Sequence, residues 1–372
     1  LTNWDRISTG KPPWLNAEDE IGTINMAKHI SDTRAKLVTL DIGIAISGSP
    51  RADYLQGLAD DLLKRLPDRV SEAERLGGIM LKWNGETWDF TLPGNFGITA
   101  KDDNGEIVGA IFAAHTAQGS RHFTRLEYHR FEGSTAEGGK LYKITNKAYV
   151  SMVDDALGKE CELTEVEEWA EIEPEVNLEN VESPLFAYFK IPIGNTVDMR
   201  SPLGVSVYAR GVSLIAEADK QFQRLMWEYE GGELAIDASE DAFKRVNGVP
   251  LLPEGKERLF RTNNLDAATV KGDGLLSAWA PNLRDANYMT GLNRLLVQIE
   301  DACCISRGTL SDPTEIAKSA TEIKIMKQRS YATVTDIQKS LESSLDDLAY
   351  AMYCLAILYD LCPDGNYEIA YV

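Results

Sequence analysis

The sequence predicts an α+β chain, on three observations. Residues 77–153 break into short segments rich in β-formers, separated by Asn84-Gly85, Pro93-Gly94 and Asn104-Gly105, dipeptides that favour the positive φ of tight hairpin turns. Two later stretches, 205–232 and 284–304, repeat apolar residues at steps of three or four, the period of a helix face. From 319 to 362 one apolar stripe runs on with no Gly or Pro to stop it.

Taken in order, Leu55, Leu58, Leu62 and Leu66 place an amphipathic helix over 53–66, ended by Pro67, with a second helix starting at Ser71. Segments 79–83, 87–92, 107–114, 123–131 and 141–150 then read as one antiparallel sheet, to which 186–193 adds a candidate strand. Between Asp154 and Glu182 the only base is Lys159, among many acids including Glu160, Glu165, Glu168 and Glu173. That stretch reads as a solvated loop. Leu214, Ala218, Phe222, Leu225 and Tyr229 line a helix that Gly231-Gly232 stops. Residues 233–283 read as a small module with short strands, one of them at 258–261. Helix returns after Pro281, with Tyr288, Leu292, Leu295, Ile299 and Cys303 as its stripe.

A polar loop, 306–318, precedes the last long element. Ser319-Ala320-Thr321-Glu322 fits a capping box, in which serine and glutamate satisfy each other's orphan N–H groups. The stripe that follows recurs every eleven residues, as Ile323, Val334, Leu345 and as Met326, Ile337, Leu348. A period of 3.67 residues per turn departs from the heptad of a left-handed coiled coil, so a nearly straight helix of roughly 60 Å is expected.

Composition narrows the function classes. With 372 residues, 44% hydrophobic and 26% charged, the chain can build more than one folded module. The longest apolar run, 349–361, is broken by Tyr and Asp and is too short for ~30 Å of hydrocarbon, so no membrane span is expected; no signal peptide is read at the start either. Five cysteines, an odd number without paired metal-ligand spacing, read as reduced thiols. Cys303 and Cys304 point about 100° apart on a helix, which favours packing over redox chemistry. A net charge of −20 disfavours tight phosphate binding.

No segment specifies an enzyme. The run from Gly133 to Leu141 resembles a phosphate-binding loop, but Lys140 comes one place late, no Ser or Thr follows it, and strands flank it. It reads as a hairpin loop. His29, His115, His122 and His129 form no metal-ligand motif, and His122 and His129 fall on opposite faces of any one strand. Asp60-Asp61, Asp102-Asp103 and Asp346-Asp347 lie in turn or helix contexts where paired acids are commonplace. No catalytic residue, cofactor or metal is expected.

Four segments, in order and spacing, resemble the portal (head-to-tail connector, minor capsid) proteins of tailed bacteriophages, in the branch common among phages of Gram-positive hosts. They are Leu126-Glu127-Tyr128-His129 with Tyr142-Lys143-Ile144-Thr145-Asn146; Phe186 to Pro192 leading to Ser201-Pro202-Leu203-Gly204-Val205-Ser206; Pro281 to Tyr288; and Ile305 to Ser311 running on to Ser319-Ala320-Thr321-Glu322-Ile323. The family usually has Thr-Ala-Thr-Glu where this chain has Ser319 to Glu322.

The resemblance implies a portal fold: an antiparallel-sheet wing over 1–204, stem helices over 205–232 and 284–304, a small α/β clip over 233–283 and a tunnel loop over 305–318. A long wing helix over 319–362 would follow, and 363–372 would be a tail or the start of a crown. It further implies a ring of twelve copies at one capsid vertex of the virion, assembled in the host cytoplasm. The channel would pass double-stranded DNA during packaging, retention and ejection. Partners implied are the large terminase subunit, a head-completion or adaptor protein, and the major capsid and scaffolding proteins. Arg307, Gly308, Thr309 and Lys318 would be the channel-facing residues, with Arg307 and Lys318 the few positive groups near the duplex; the opposing reading pairs them with acids such as Asp312 and Glu315. Few phosphate contacts suit a conduit, since each adds salt-dependent affinity. A virion structural protein without a DNA channel is the competing class.

Overall fold

The computed structural model describes residues 2–16, 22–40, 42–134, 139–154, 156–239, 243–246, 249–250, 259–263, 276–313 and 320–371. The chain is mixed α and β. It opens with helices α1 (Thr2–Ser8) and α2 (Met26–Thr39), strand β1 (Ile44–Ser47) and helix α3 (Pro50–Leu76). Strands β2 (Gly78–Trp83), β3 (Trp88–Thr91), β4 (Phe96–Lys101), β5 (Ile107–Gln118), β6 (Arg121–Ser134), β7 (Lys140–Ser151), β8 (Lys159–Cys161), β9 (Glu175–Glu179) and β10 (Ala187–Lys190) follow. Then come α4 (Val212–Gly231), the short strands β11 (Ala235–Ser239), β12 (Arg245–Val246), β13 (Val249–Pro250), β14 (Phe260–Asn263) and β15 (Leu276–Trp279), α5 (Asp285–Ala302), α6 (Ala320–Leu358) and β16 (Glu368–Tyr371).

The first helix reading needs correction. Pro67 does not end the helix: α3 runs unbroken from its N-cap Ser49, whose side chain accepts from Ala52 N, to Gly77. A proline inside a helix costs about 3 kcal/mol, but Leu62, Leu66 and Val70 on either side are all at most 1% exposed. Burial of each is worth roughly 1.5–3 kcal/mol, so packing wins. Gly77 ends the helix at φ 96, and a side chain there would collide with the backbone of Gly204.

The expected single sheet is two. One has the order β10-β2-β3, the other β4-β5-β6-β7-β8, with β9 also on β7. All these pairings are antiparallel. Met80, Ala110, Phe112 and Phe186 pack between the two. The main core joins α2, α3, β2, β10 and α6 through Ile30, Leu55, Ile79, Phe189, Ile337 and Leu348.

The acidic stretch 154–182 is not a solvated loop. It holds β8, two short 3-10 turns at Leu163–Glu165 and Glu167–Trp169, and β9. Leu163, Val166 and Trp169, three residues apart, pack as a small core on Phe123 and Ala148 of the sheet, while Glu162, Glu167 and Glu168 stay exposed. The charge excess concealed a one-sided apolar face. Residues 368–371, in the segment expected as a tail or the start of a further module, form β16 and pair antiparallel with β1.

Helices α4 and α5 lie antiparallel: the Gln221 amide donates to the Tyr288 carbonyl, and Glu228 holds Arg284. Between them β11 pairs parallel with β14 and antiparallel with β15. Helix α6 has 39 residues, hence a length of about 58 Å. Among its described side chains the buried ones run from Ile337 through Leu341, Leu345, Leu348, Met352 and Leu355. Ser319, the expected N-cap, lies outside the described residues.

Candidate functional site

The segment after α5 carries three of the four expected channel residues, Arg307, Gly308 and Thr309; Lys318 lies outside the described residues. Helix α5 closes with Cys303 N donating to the Ile299 carbonyl at 2.9 Å, and Cys304 then turns the chain at a left-handed φ of 56. Ile305 N returns to the Glu300 carbonyl at 2.9 Å. From there the chain folds back along its own helix.

What folds it back is one side chain. Glu300 is fully buried, and its carboxylate accepts from Leu310 N at 2.6 Å, Ser311 N at 3.0 Å and Ser311 Oγ at 2.7 Å. The same Ser311 Oγ accepts from Gly308 N at 3.1 Å, and Thr309 Oγ1 donates to the Ser306 carbonyl at 2.6 Å. Asp312 N donates to Asn293 Oδ1 at 2.7 Å. Residues 304–312 are thereby a latched turn rather than a free polar loop. Gly308 sits at φ 84, a backbone state that a β-carbon would strain.

Arg307 makes a two-pronged contact with Asp301, Nη2 to Oδ2 at 2.6 Å and Nε to Oδ1 at 3.2 Å. Its guanidinium is held above its ordinary range by that hydrogen bond and by the charge behind it. Arg307 is thus paired with an acid, as the opposing sequence reading has it, but with Asp301 rather than Asp312. The aspartate lies one turn back on α5, a position that only the reversal at Cys304 brings near. With side chains 48% and 40% exposed, the pair is worth at most about 1 kcal/mol, so a phosphate could compete for the guanidinium.

The latch rests on a buried polar layer. Arg34 of α2, 3% exposed, donates to the Cys303 carbonyl. Glu74 of α3 is fully buried beside it, and burial pushes its carboxyl well above the usual range, with the Arg34 charge opposing the shift. Burial also pushes the Cys303 thiol up to about 12, which withholds the thiolate that exchange chemistry requires. Farther along α4, buried Asp219 accepts from Trp14 Nε1 at 2.9 Å, Thr23 Oγ1 at 2.7 Å and Ile24 N at 3.1 Å. It ties the N-terminal segment to that helix.

A second polar cluster lies where the two sheets meet, and its assembly was not read in the sequence. Glu127 accepts from Lys82 Nζ at 2.7 Å and lies 3.2 Å from Arg125. His129 Nε2 is 2.6 Å from Glu127 and its Nδ1 is 2.8 Å from the Tyr142 hydroxyl, which accepts from Leu185 N. Burial alone would raise the Glu127 carboxyl, yet Lys82, His129 and Arg125 hold it well below the usual range. Burial pulls His129 down, with Glu127 opposing. Tyr142 and His129 are at most 3% exposed, so the centre of the cluster is buried. The strand parity that separates His122 from His129 was the only signal of it. His122 instead faces Asp154 at 3.4 Å.

Among the described residues no group of His, Cys, Asp and Glu is arranged to hold a metal ion, and no helix is long and apolar enough to cross a membrane. No protein-family model matches the chain, and no curated protein matches it significantly.

Proposed function

We propose that this chain is a phage portal protein, one subunit of a ring that forms a double-stranded DNA channel at a capsid vertex of the virion. The observation that carries the reading is the order of parts. A sheet-and-helix body precedes an antiparallel helix pair with a small strand module between its members. A latched turn then leads to a 39-residue helix. A rigid helix pair can hold a module away from the body without disturbing packing there, and so reach the packaging terminase and later an adaptor protein. The turn at 306–311 is the segment assigned to the channel wall, with Arg307, held only weakly by Asp301, one of the few positive groups that meet the duplex. No catalytic residue is assigned, because the motor supplies the energy of DNA movement.

Electron microscopy of the purified chain tests this. The expected images are end-on rings with a central hole wide enough for a duplex, roughly 20 Å or more on B-form groove dimensions. Assemblies without a hole would instead place the chain among virion structural proteins that carry no DNA.

A further inference from the structure

No residue from 327 to 336 is buried, and among the described side chains of α6 the first that is buried is Ile337. Tyr331 is 67% exposed. In sequence the apolar stripe nevertheless continues beyond the packed part through Met326 and Ile323. The charge also changes: residues 323–335 hold Lys324, Lys327 and Arg329 and no acid, in a chain of net charge −20. Lys327 and Arg329 are exposed, and among the described residues neither side chain forms an ion pair. Val334 alone of residues 327–336 packs on the main core, and a helical segment with so little tertiary packing is marginal in water. An apolar stripe flanked by cations asks for an apolar surface rimmed by acids.

The same chain carries that surface elsewhere. Residues 154–182 hold twelve acids against Lys159 alone. Their turns are docked on the sheet by Leu163, Val166 and Trp169, which leaves Glu162, Glu167, Glu168 and Glu171 facing out. Beside them Met152 and Val153 are 68% and 66% exposed. Helix α6 packs on β10, β2, α2 and α3 within its own chain, and among the described residues no ion pair joins the arm to this flap.

We infer that the exposed segment 327–335 of α6 docks on the acidic flap of a second copy of this chain. Each copy then offers one basic arm and one acidic flap, a head-to-tail contact that closes into a ring or runs on as a filament according to its rotation. The combination of apolar stripe and cations favours a protein surface over a phosphate backbone, which charges alone would satisfy. The contact requires copies that meet, not a DNA channel.

The test is a charge swap on the full chain, read by sedimentation velocity and mass photometry at low and moderate salt. The wild type should associate, and more weakly as salt rises. K327E with R329E, or E167K with E168K, should each weaken association by at least about tenfold, while combining the four restores it. These positions are on the surface, and circular dichroism would show that each variant keeps its fold. A wild-type chain that stays monomeric under all conditions overturns the inference, as do swapped variants that assemble normally. Normal assembly with reduced affinity for a short DNA duplex in the K327E and R329E variant would assign the arm to DNA instead. Holeless assemblies that still obey the swap would defeat the channel reading and leave this contact standing.

Discussion

Replacing Glu300 with alanine should release the turn that carries Arg307, Gly308 and Thr309. Three donors, the amides of Leu310 and Ser311 and the Ser311 hydroxyl, end on this one carboxylate. A buried donor without an acceptor costs about 1–3 kcal/mol. Ser311 is 4% exposed, so water reaches two of the three poorly, while the neighbouring Thr309 and Asp312 are exposed and let some enter. A local loss of about 3–4 kcal/mol follows. Hydrogen exchange reads it directly: protection of the Leu310 and Ser311 amides should fall by at least about a hundredfold, with the α6 body unchanged. Glu300→Gln keeps a carbonyl oxygen for both amides and turns its NH2 to Ser311 Oγ, so its loss should stay below about 1.5 kcal/mol. Unchanged protection at both amides in the alanine variant would falsify the claim that this carboxylate holds the turn.

Two further outcomes concern pH. His129 is held below its ordinary value of 6.5 and Glu127 well below 4.5; for both, the unfolded chain binds protons more readily, so each contributes stability that is complete above its unfolded value and lost on acidification. Urea unfolding of the wild type should weaken first below about pH 6.5 and again below about 4.5, and His129→Gln should remove the first stage; the same slope in the variant would show that another group causes it. Glu74 has the opposite sign. Its carboxyl is raised well above 4.5 by burial, so it costs stability progressively as pH rises above that value. Glu74→Gln should therefore match the wild type near pH 4 and exceed it at pH 8. A loss at pH 8 would mean that attraction to Arg34 outweighs desolvation.

The latch and the arm bear on one another. The turn 304–312 lies between the end of α5 and the start of α6 and is fastened to α5 through Glu300 and Asn293. A shift of α5 against the body would therefore carry the turn with it. Arg34, which reaches the Cys303 carbonyl from α2, is the contact such a shift would have to break. A buried charged donor of this kind is worth roughly 1.5–3 kcal/mol.

Properties governed by near neighbours were legible in the sequence. Gly85, Gly94 and Gly105 adopt the positive φ that their dipeptides require, the strands flanking them form, and the stripes of α4, α5 and α6 yield helices close to their expected limits. Turn stereochemistry and helical period depend on residues within a few positions, so pattern suffices. Where partners are distant in sequence, only the tertiary structure decided. Pro67 stays in its helix because a core shared with α2, β2, β10 and α6 buries its neighbours; 154–182 is ordered by a sheet face; Glu127 and His129 meet Lys82 from another strand pair. Arg307 finds Asp301 because Glu300 closes the turn. In each case the free energy that settles the local structure comes from desolvated contacts between separated segments, and no local window of residues contains both partners.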